Sequence, residues 1–182
     1  MKLYMCKEKS NLNKEKLHKD YSLSFYQKGD KHAWANIMYK TKEFSSVKEA
    51  LERFENEFSK KEEKLKCTCM FIETKKQEKI ATIIAWNGTF NNQEIGRIHW
   101  LSVVPEHQGK SLSKYLLYKA SELLFQKYDL IYLSTQSKSE KAINLYLNNR
   151  FKPCQFNETV EKEWDRIYDN YHDYLKLRDK QL

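Results

Sequence analysis

Beyond an irregular start, the apolar positions of this chain follow a helical spacing, then a strand spacing, and then alternate between the two. The first forty residues are the least regular. Tyr21, Leu23 and Phe25 alternate with Ser22 and Ser24, as on a half-buried strand, and His32 to Lys40 carries Trp34, Ile37 and Met38 at helix-like intervals. A helix is predicted from about Ser46, where Ser46 and Glu49 have capping-box spacing and Val47, Ala50, Leu51, Phe54 and Phe58 share one face. Three strand-like runs follow: Thr68 to Glu73, Ile80 to Trp86 and Ile95 to Val104. They are separated by the polar stretch 75–78 and by Asn87-Gly88 with Asn91-Asn92, which predicts an antiparallel meander.

After Pro105 the period lengthens again. Leu112, Tyr115, Leu116, Ala120, Leu123 and Leu124 mark a helix, and Leu130 to Thr135 reads as a buried strand. A helix is expected from about Lys138 to Asn149, then a short strand from Phe151 to Phe156. A final helix would present Val160, Trp164, Ile167, Tyr168, Tyr171 and Leu175 on one side, either closing the core or forming a subunit contact in a homodimer. No repeat and no Pro-, Gly- or Ser-rich linker interrupts the series. The expectation is one α/β domain over residues 1–182, with a mixed, mostly antiparallel central sheet flanked by helices and an extra C-terminal helix.

Composition narrows the function classes. With 40% hydrophobic and 14% aromatic residues and only six Gly and Pro in 182 positions, the chain has the makings of a compact core. It has no apolar run of about 18 residues that would span a bilayer, and its lysine-studded start lacks the apolar stretch of a signal peptide, so a cytoplasmic protein without a membrane partner is expected. Of the four cysteines only Cys67 and Cys69 are close. No second Cys or His pair completes a zinc spacing, so no metal and reduced, mostly buried thiols are expected, with Cys67 and Cys69 on one strand face. The 33 Lys and Arg exceed the 25 Asp and Glu and favour anionic ligands. Because the charges are mixed and no reader motif is present, nucleic acid is disfavoured.

The chemistry concentrates between residues 95 and 151. A strand runs through Val103-Val104-Pro105 into Gln108-Gly109-Lys110-Ser111-Leu112-Ser113-Lys114 and then into a helix. First-turn N–H groups carry partial positive charge, and small side chains let a phosphate approach them. About thirty residues later come Ser139, Ala142 and Tyr146, leading to Phe151. Together the two segments resemble the GNAT superfamily of N-acetyltransferases, in which a strand ending in Val-x-Pro precedes a Gln/Arg-x-x-Gly-x-Gly/Ala loop. A later helix of that family carries Asn-x-x-Ala-x-x-x-Tyr-x-x-x-Gly-Phe. Val103, Pro105, Gln108, Ala142, Tyr146 and Phe151 match, while Ser111 and Ser113 replace loop glycines, Ser139 replaces Asn and Arg150 replaces Gly. The resemblance covers roughly residues 67–156.

The resemblance implies acetyl-CoA as co-substrate and an amine acceptor, either a small molecule or an exposed amino group. It implies that Leu101, Ser102 and Val103 hold the pantetheine arm, and that Gln108, Gly109, Lys110, Ser111, Leu112, Ser113 and Lys114, with Ser139, bind the rest of the cofactor. Tyr146 falls where the family often has a general acid; the alternative is a core tyrosine with its hydroxyl at the rim. Strict alternation puts Arg97, His99, Leu101 and Val103 on one face of the strand and Ile98, Trp100 and Ser102 on the other. His99 then leads as general base, against a histidine simply bonded within the sheet, with Glu94 and Glu73 as weaker alternatives. His107 is expected to be exposed. Trp34, Tyr39 and Trp86 either line an acceptor pocket or fill the core. The competing reading is a catalytically weak module of the same fold that binds acyl-CoA or a protein partner.

Overall fold

The structure is a computed structural model that describes residues 1–90, 92–154 and 158–179. Seven strands form one mixed sheet: β1 (Lys2–Glu8), β2 (Tyr21–Phe25), β3 (Cys69–Thr74), β4 (Lys79–Phe90), β5 (Gln93–Val103), β6 (Leu130–Gln136) and β7 (Lys152–Pro153). Their order across the sheet is β2-β3-β4-β5-β6-β1-β7. The helices are α1 (Lys31–Lys40), α2 (Val47–Phe58), α3 (Glu62–Thr68), α4 (Leu112–Leu124), α5 (Glu140–Asn148) and α6 (Glu158–Asp179). The predicted meander is present as antiparallel β3-β4-β5, and the predicted mixed sheet flanked by helices is the observed architecture.

Four expectations need correction. Asn87 and Gly88 do not break β4 but pair with Gly96 and Ile95. Gly88 is tolerated there because the Tyr132 hydroxyl occupies the space a Cβ would need. Glu49 does not close a capping box. Its amide donates to Ser46 Oγ at 3.1 Å, but its carboxylate accepts from the Ser45 amide and hydroxyl instead. Cys67 ends a helix and is exposed, whereas Cys69 opens β3 and is buried, so the two share no strand face. Finally, Cys6 and Cys154 are not reduced thiols but a disulfide, with Cα atoms 5.6 Å apart, joining β1 to the end of β7. The reach of the β7 strand to Phe156 lies outside the described residues, as does the Leu175 side chain.

β1 escaped the sequence reading. It sits between β6 and β7, antiparallel to both, with Leu3 and Met5 buried. Helices α1 and α2 cover one face of the sheet and α4 the other, with α4 burying Leu112, Leu116, Leu117, Ala120 and Leu124. Val160, Trp164 and Ile167 of α6 join the main core, so this helix closes the core within the chain.

The covered face of α1 and α2 sets up the site. Trp34 stacks edge-on against Trp100 at 5.5 Å and packs on Phe54 at 5.2 Å, while Phe58 meets Trp86 at 5.3 Å. Each such pair contributes about 0.5–1.5 kcal/mol beyond the area it buries, so α1 and α2 are held together against β4 and β5. Trp34 and Trp86 are therefore core residues, and Tyr39 is exposed.

Candidate active site

Two features of β5 open a cleft beside it. On the β6 side, parallel pairing is confined to Gly96↔Ile131 and Arg97↔Tyr132, so past Arg97 the two strands part. On the β4 side, His99 pairs with Ile84 and Ser102 with Thr82, so Trp100 and Leu101 together oppose Ile83. That is a β-bulge, and Trp100 occupies it with φ +51°.

The bulge overturns the strict alternation. His99 and Trp100 both face the α1–α2 layer, with ring centroids 4.8 Å apart, and Ser102 follows them there, its hydroxyl on the Met38 sulfur. Arg97 and His99 do share a face, as expected, but Leu101 and Val103 do not continue it. A bulge re-aims side chains in this way because the extra residue shifts the period-two pattern by one.

The cleft contains two cavities that share Leu101, Ser102, Ala142 and Tyr146. The first, of about 270 Å³, lies toward the C-terminal end of β5 and is bounded by Val103, the 107–113 loop and α5. Gln108, Gly109, Ser111, Leu112 and Ser113, all expected cofactor contacts, line it. The Gln108 side-chain amide donates to the Val103 carbonyl at 3.0 Å and folds the loop back on the strand. Gly109 has φ +78° and open space where a Cβ would stand. Ser111, at the start of α4, has φ +59° and makes no side-chain cap, leaving the first-turn amides free of a capping hydroxyl. Three other candidates lie elsewhere: Lys110 sits over the Tyr21 ring, Lys114 pairs with Glu15 at 2.9 Å, and Ser139 lines the second cavity. His107 is half-buried rather than exposed, bonded to the Tyr21 hydroxyl at 2.9 Å, and lines the first cavity.

These residues fit an acyl-CoA. A trough with apolar walls (Leu101, Val103, Leu145) leads to a loop of small residues whose amides open a helix, which suits a pantetheine arm ending in a pyrophosphate.

The second cavity, of about 360 Å³, lies toward the other end of the exposed β5 edge and is lined by Arg97, His99, Trp100, Glu43 and Arg53 among others. His99 is 9% exposed, and its Nε2–H donates to Glu57 Oε1 at 2.5 Å. Glu57 Oε2 accepts from Arg53 at 3.1 Å and from the Trp100 indole at 3.4 Å. Burial pulls the His99 pKa below its ordinary value. Glu57 opposes that fall, and the charges of Arg97 and Arg53 add to it, so the imidazole is neutral at pH 7. Burial works to raise the Glu57 carboxyl, but the bond and charge from His99, the charge of Arg53 and the bond from Trp100 outweigh it, so the carboxylate is ionised. With Nε2 carrying the proton toward Glu57, Nδ1 keeps its lone pair and can accept a proton.

Tyr146 stands where the cavities meet. It is 7% exposed and packs edge-on against Phe151, and no protein group among the described residues bonds its hydroxyl. Burial, with the negative charge of Glu43, pushes its pKa up to about 12, so the phenol is protonated at any physiological pH. Glu73 and Glu94 are engaged elsewhere, with Lys79 and Ser24 and with Tyr128 respectively. Glu57 went unnoticed in the sequence although a signal existed, since it follows Ala50 and Phe54 at i+7 and i+3 and so places a carboxylate on the buried stripe of α2. Among the described residues no group of His, Cys, Asp and Glu is arranged to hold a metal, and no helix is long and apolar enough to cross a membrane.

A comparison with curated proteins returned no match. Solved structures share the fold. A GCN5-related N-acetyltransferase from Sphaerobacter thermophilus superposes with a TM-score of 0.64 at 13% identity over 84% of this chain, which spans 48% of that protein, about half its length. A Pyrococcus horikoshii protein gives 0.64 at 17% identity, covering 75% of this chain and 92% of its own. An aminoglycoside N-acetyltransferase solved in complex with CoA gives 0.60 at 9% identity, covering 75% and 91%. The model of the acetyltransferase (GNAT) family matches residues 31–150, well over half of the sequence and all of the cleft lining except Lys2, and the chain belongs to that family.

Proposed function

We propose that the protein is an acetyl-CoA-dependent N-acetyltransferase that acetylates a primary amine by direct attack. The observation that carries this reading is the placement of Tyr146, its hydroxyl without a protein partner, where a cavity suited to acyl-CoA meets a second one containing a neutral, carboxylate-backed histidine. Acetyl-CoA supplies the activated acetyl thioester. The protein's residues then have three tasks.

The 108–113 loop and the first turn of α4 hold the pyrophosphate, and the unladdered edge of β5 at Leu101 to Val103 orients the pantetheine arm. His99 Nδ1 removes a proton from the acceptor ammonium or from the attacking amine, directly or through one water, while the Glu57 carboxylate stabilises the imidazolium that forms. Tyr146 gives its proton to the departing sulfur. For a neutral amine the balance is one amide bond formed and one thioester bond broken, with the amine's proton passing to His99, the Tyr146 proton passing to the thiolate, and the imidazolium then returning its proton through solvent to the phenolate; an acceptor that arrives as ammonium loses one further proton, to solvent.

The test is calorimetric titration with acetyl-CoA and CoA, followed by a transfer assay over a panel of primary amines. Micromolar cofactor binding with acetyl transfer to at least one amine is the expected result. Cofactor binding without transfer to any amine leaves a binding module and overturns the enzymatic reading.

A further inference from the structure

The second cavity carries more positive charge than a pocket for a plain amine requires. Lys2, Arg53 and Arg97 line it against one carboxylate, Glu43. One of the three cations is paired with a carboxylate, Arg53 with Glu57 at 3.1 Å, while Lys2 lies over the Tyr4 ring at 5.1 Å. Arg97 differs. Among the described residues no carboxylate comes within ion-pair distance of it, and its Nε is buried without a hydrogen-bond partner. Its guanidinium carbon lies 6.0 Å from the centroid of the Tyr132 ring.

A guanidinium is charged at any working pH and offers a planar fork that matches a carboxylate or phosphate in two parallel bonds. A buried N–H left unbonded is unfavourable unless a ligand completes it. Arg97 sits two residues before His99 on the same strand face, about 6.6 Å along a strand rising about 3.3 Å per residue. From the phosphate loop, the order along β5 is therefore Leu101 to Val103, His99, then Arg97. Glu43 acts on Tyr146, placing the carboxylate that lines the cavity beside the residue assigned to the leaving group.

We infer that the acceptor is an ampholyte: a small molecule whose primary amine is presented at His99 and Glu43 and whose anionic group, a carboxylate or a phosphate, is seated on Arg97. The inference rests on the acetyl-transfer reading for the word acceptor, but the anion seat itself does not. A volume of about 360 Å³ falls at the small end of ligand pockets, which run roughly 300–1,000 Å³, and an uncompensated guanidinium repels a polyamine.

The experiment compares matched pairs of amines that differ in the anion: β-alanine with β-alaninamide for carboxylate, and phosphoethanolamine with ethanolamine for phosphate. Each pair is assayed for acetyl transfer and titrated calorimetrically into CoA-saturated protein. The anionic member of at least one pair should have a KM or Kd lower by roughly tenfold or more, as expected for a charge-assisted bidentate contact. The preferred pair identifies the anion. In Arg97→Gln that preference should collapse toward parity, and Arg97→Lys, which keeps the charge but loses the fork, should fall between. Neutral amines bound and acetylated as well as their anionic partners would overturn the proposal while leaving acetyl transfer intact. Anionic amines that bind the CoA-loaded protein, lose binding in Arg97→Gln and are never acetylated would uphold the anion seat and overturn the transfer reading. No binding and no transfer of either anionic amine overturns the proposal.

Discussion

Replacing Glu57 by glutamine isolates one charge in the proposed machinery. The amide oxygen of Glu57→Gln can still accept from His99 Nε2–H, so the ring keeps its tautomer, but the negative charge 2.5 Å from that nitrogen is gone. His99 is 9% exposed and the Glu57 side chain 20%, so water screens the pair weakly. A hydrogen bond to a charged partner contributes about 1.5–3 kcal/mol, and each pKa unit is about 1.4 kcal/mol, so the imidazole should lose about 1–2 units of basicity. The sign follows from the balance at His99. Burial, Arg97 and Arg53 hold its pKa down and Glu57 alone opposes them, so removing Glu57 lowers it further. The acid limb of the kcat/KM profile, which reports protonation of the free enzyme's base, should therefore move about 1–2 units toward lower pH. The plateau should drop about three- to tenfold, because a less basic imidazole is a poorer proton acceptor. The assay is a pH series of initial rates for wild type and variant, with cofactor Kd measured at each pH. An acid limb that stays in place, or moves upward, refutes the argument; a lowered plateau with an unmoved limb would mark Glu57 as a packing residue only.

Three further outcomes are expected. Tyr146→Phe should lower kcat by about 10²–10⁴-fold with little change in stability, since its hydroxyl has no partner among the described residues to lose. With a phenol pKa of about 12, wild type should show no loss of rate from Tyr146 ionisation below about pH 11; equal turnover in the variant would remove the acid role. Arg150→Gly should stabilise the fold by about 0.5–1 kcal/mol in denaturant melts, because Arg150 holds φ +65° at the end of α5, where an L-residue costs about 1–2 kcal/mol and glycine gives back part of that as chain entropy. The same change removes a cation that lowers the pKa of nearby Lys7, already depressed by burial; a lower melting midpoint would show that the Arg150 side chain packs productively. Thiol labelling without reductant should find Cys67 reactive in the folded protein and only Cys69 in addition after unfolding, and reductant should lower stability by about 2–5 kcal/mol. Four reactive thiols in the unfolded, unreduced protein would refute the Cys6–Cys154 link.

What the sequence determined by itself is what lies close together along the chain. The periods of α2, α4 and β6 are local repeats of side-chain polarity, and each predicts its element to within a few residues. The loop proposed to hold the pyrophosphate stands out in the sequence because a strand end, small residues and a helix start follow one another from Val103 to Ser113. Tyr146 was legible through its spacing from Ala142 and Phe151. Even Arg150, substituted where the family has glycine, keeps the left-handed turn, since Phe151 N–H still reaches the Tyr146 carbonyl at 3.0 Å.

The tertiary structure decided everything that depends on two distant segments meeting. Glu57 and His99 are 42 residues apart in sequence, and only the aromatic packing of α1 and α2 on β5 brings them together. β1 is a strand because it pairs with both β6 and β7, and its short apolar run from Leu3 to Cys6 does not by itself announce those partners. The bulge at Trp100 is the sharpest case. Alternation assumes an unbroken ladder, whereas here Trp100 is held at φ +51° by Trp34 and Phe44 from the helical layer, and the extra residue turns Trp100 and Ser102 to the side of His99. A period-two pattern cannot record such an insertion, because the residue that breaks the register is chosen by contacts across the sheet and not by its neighbours in the chain.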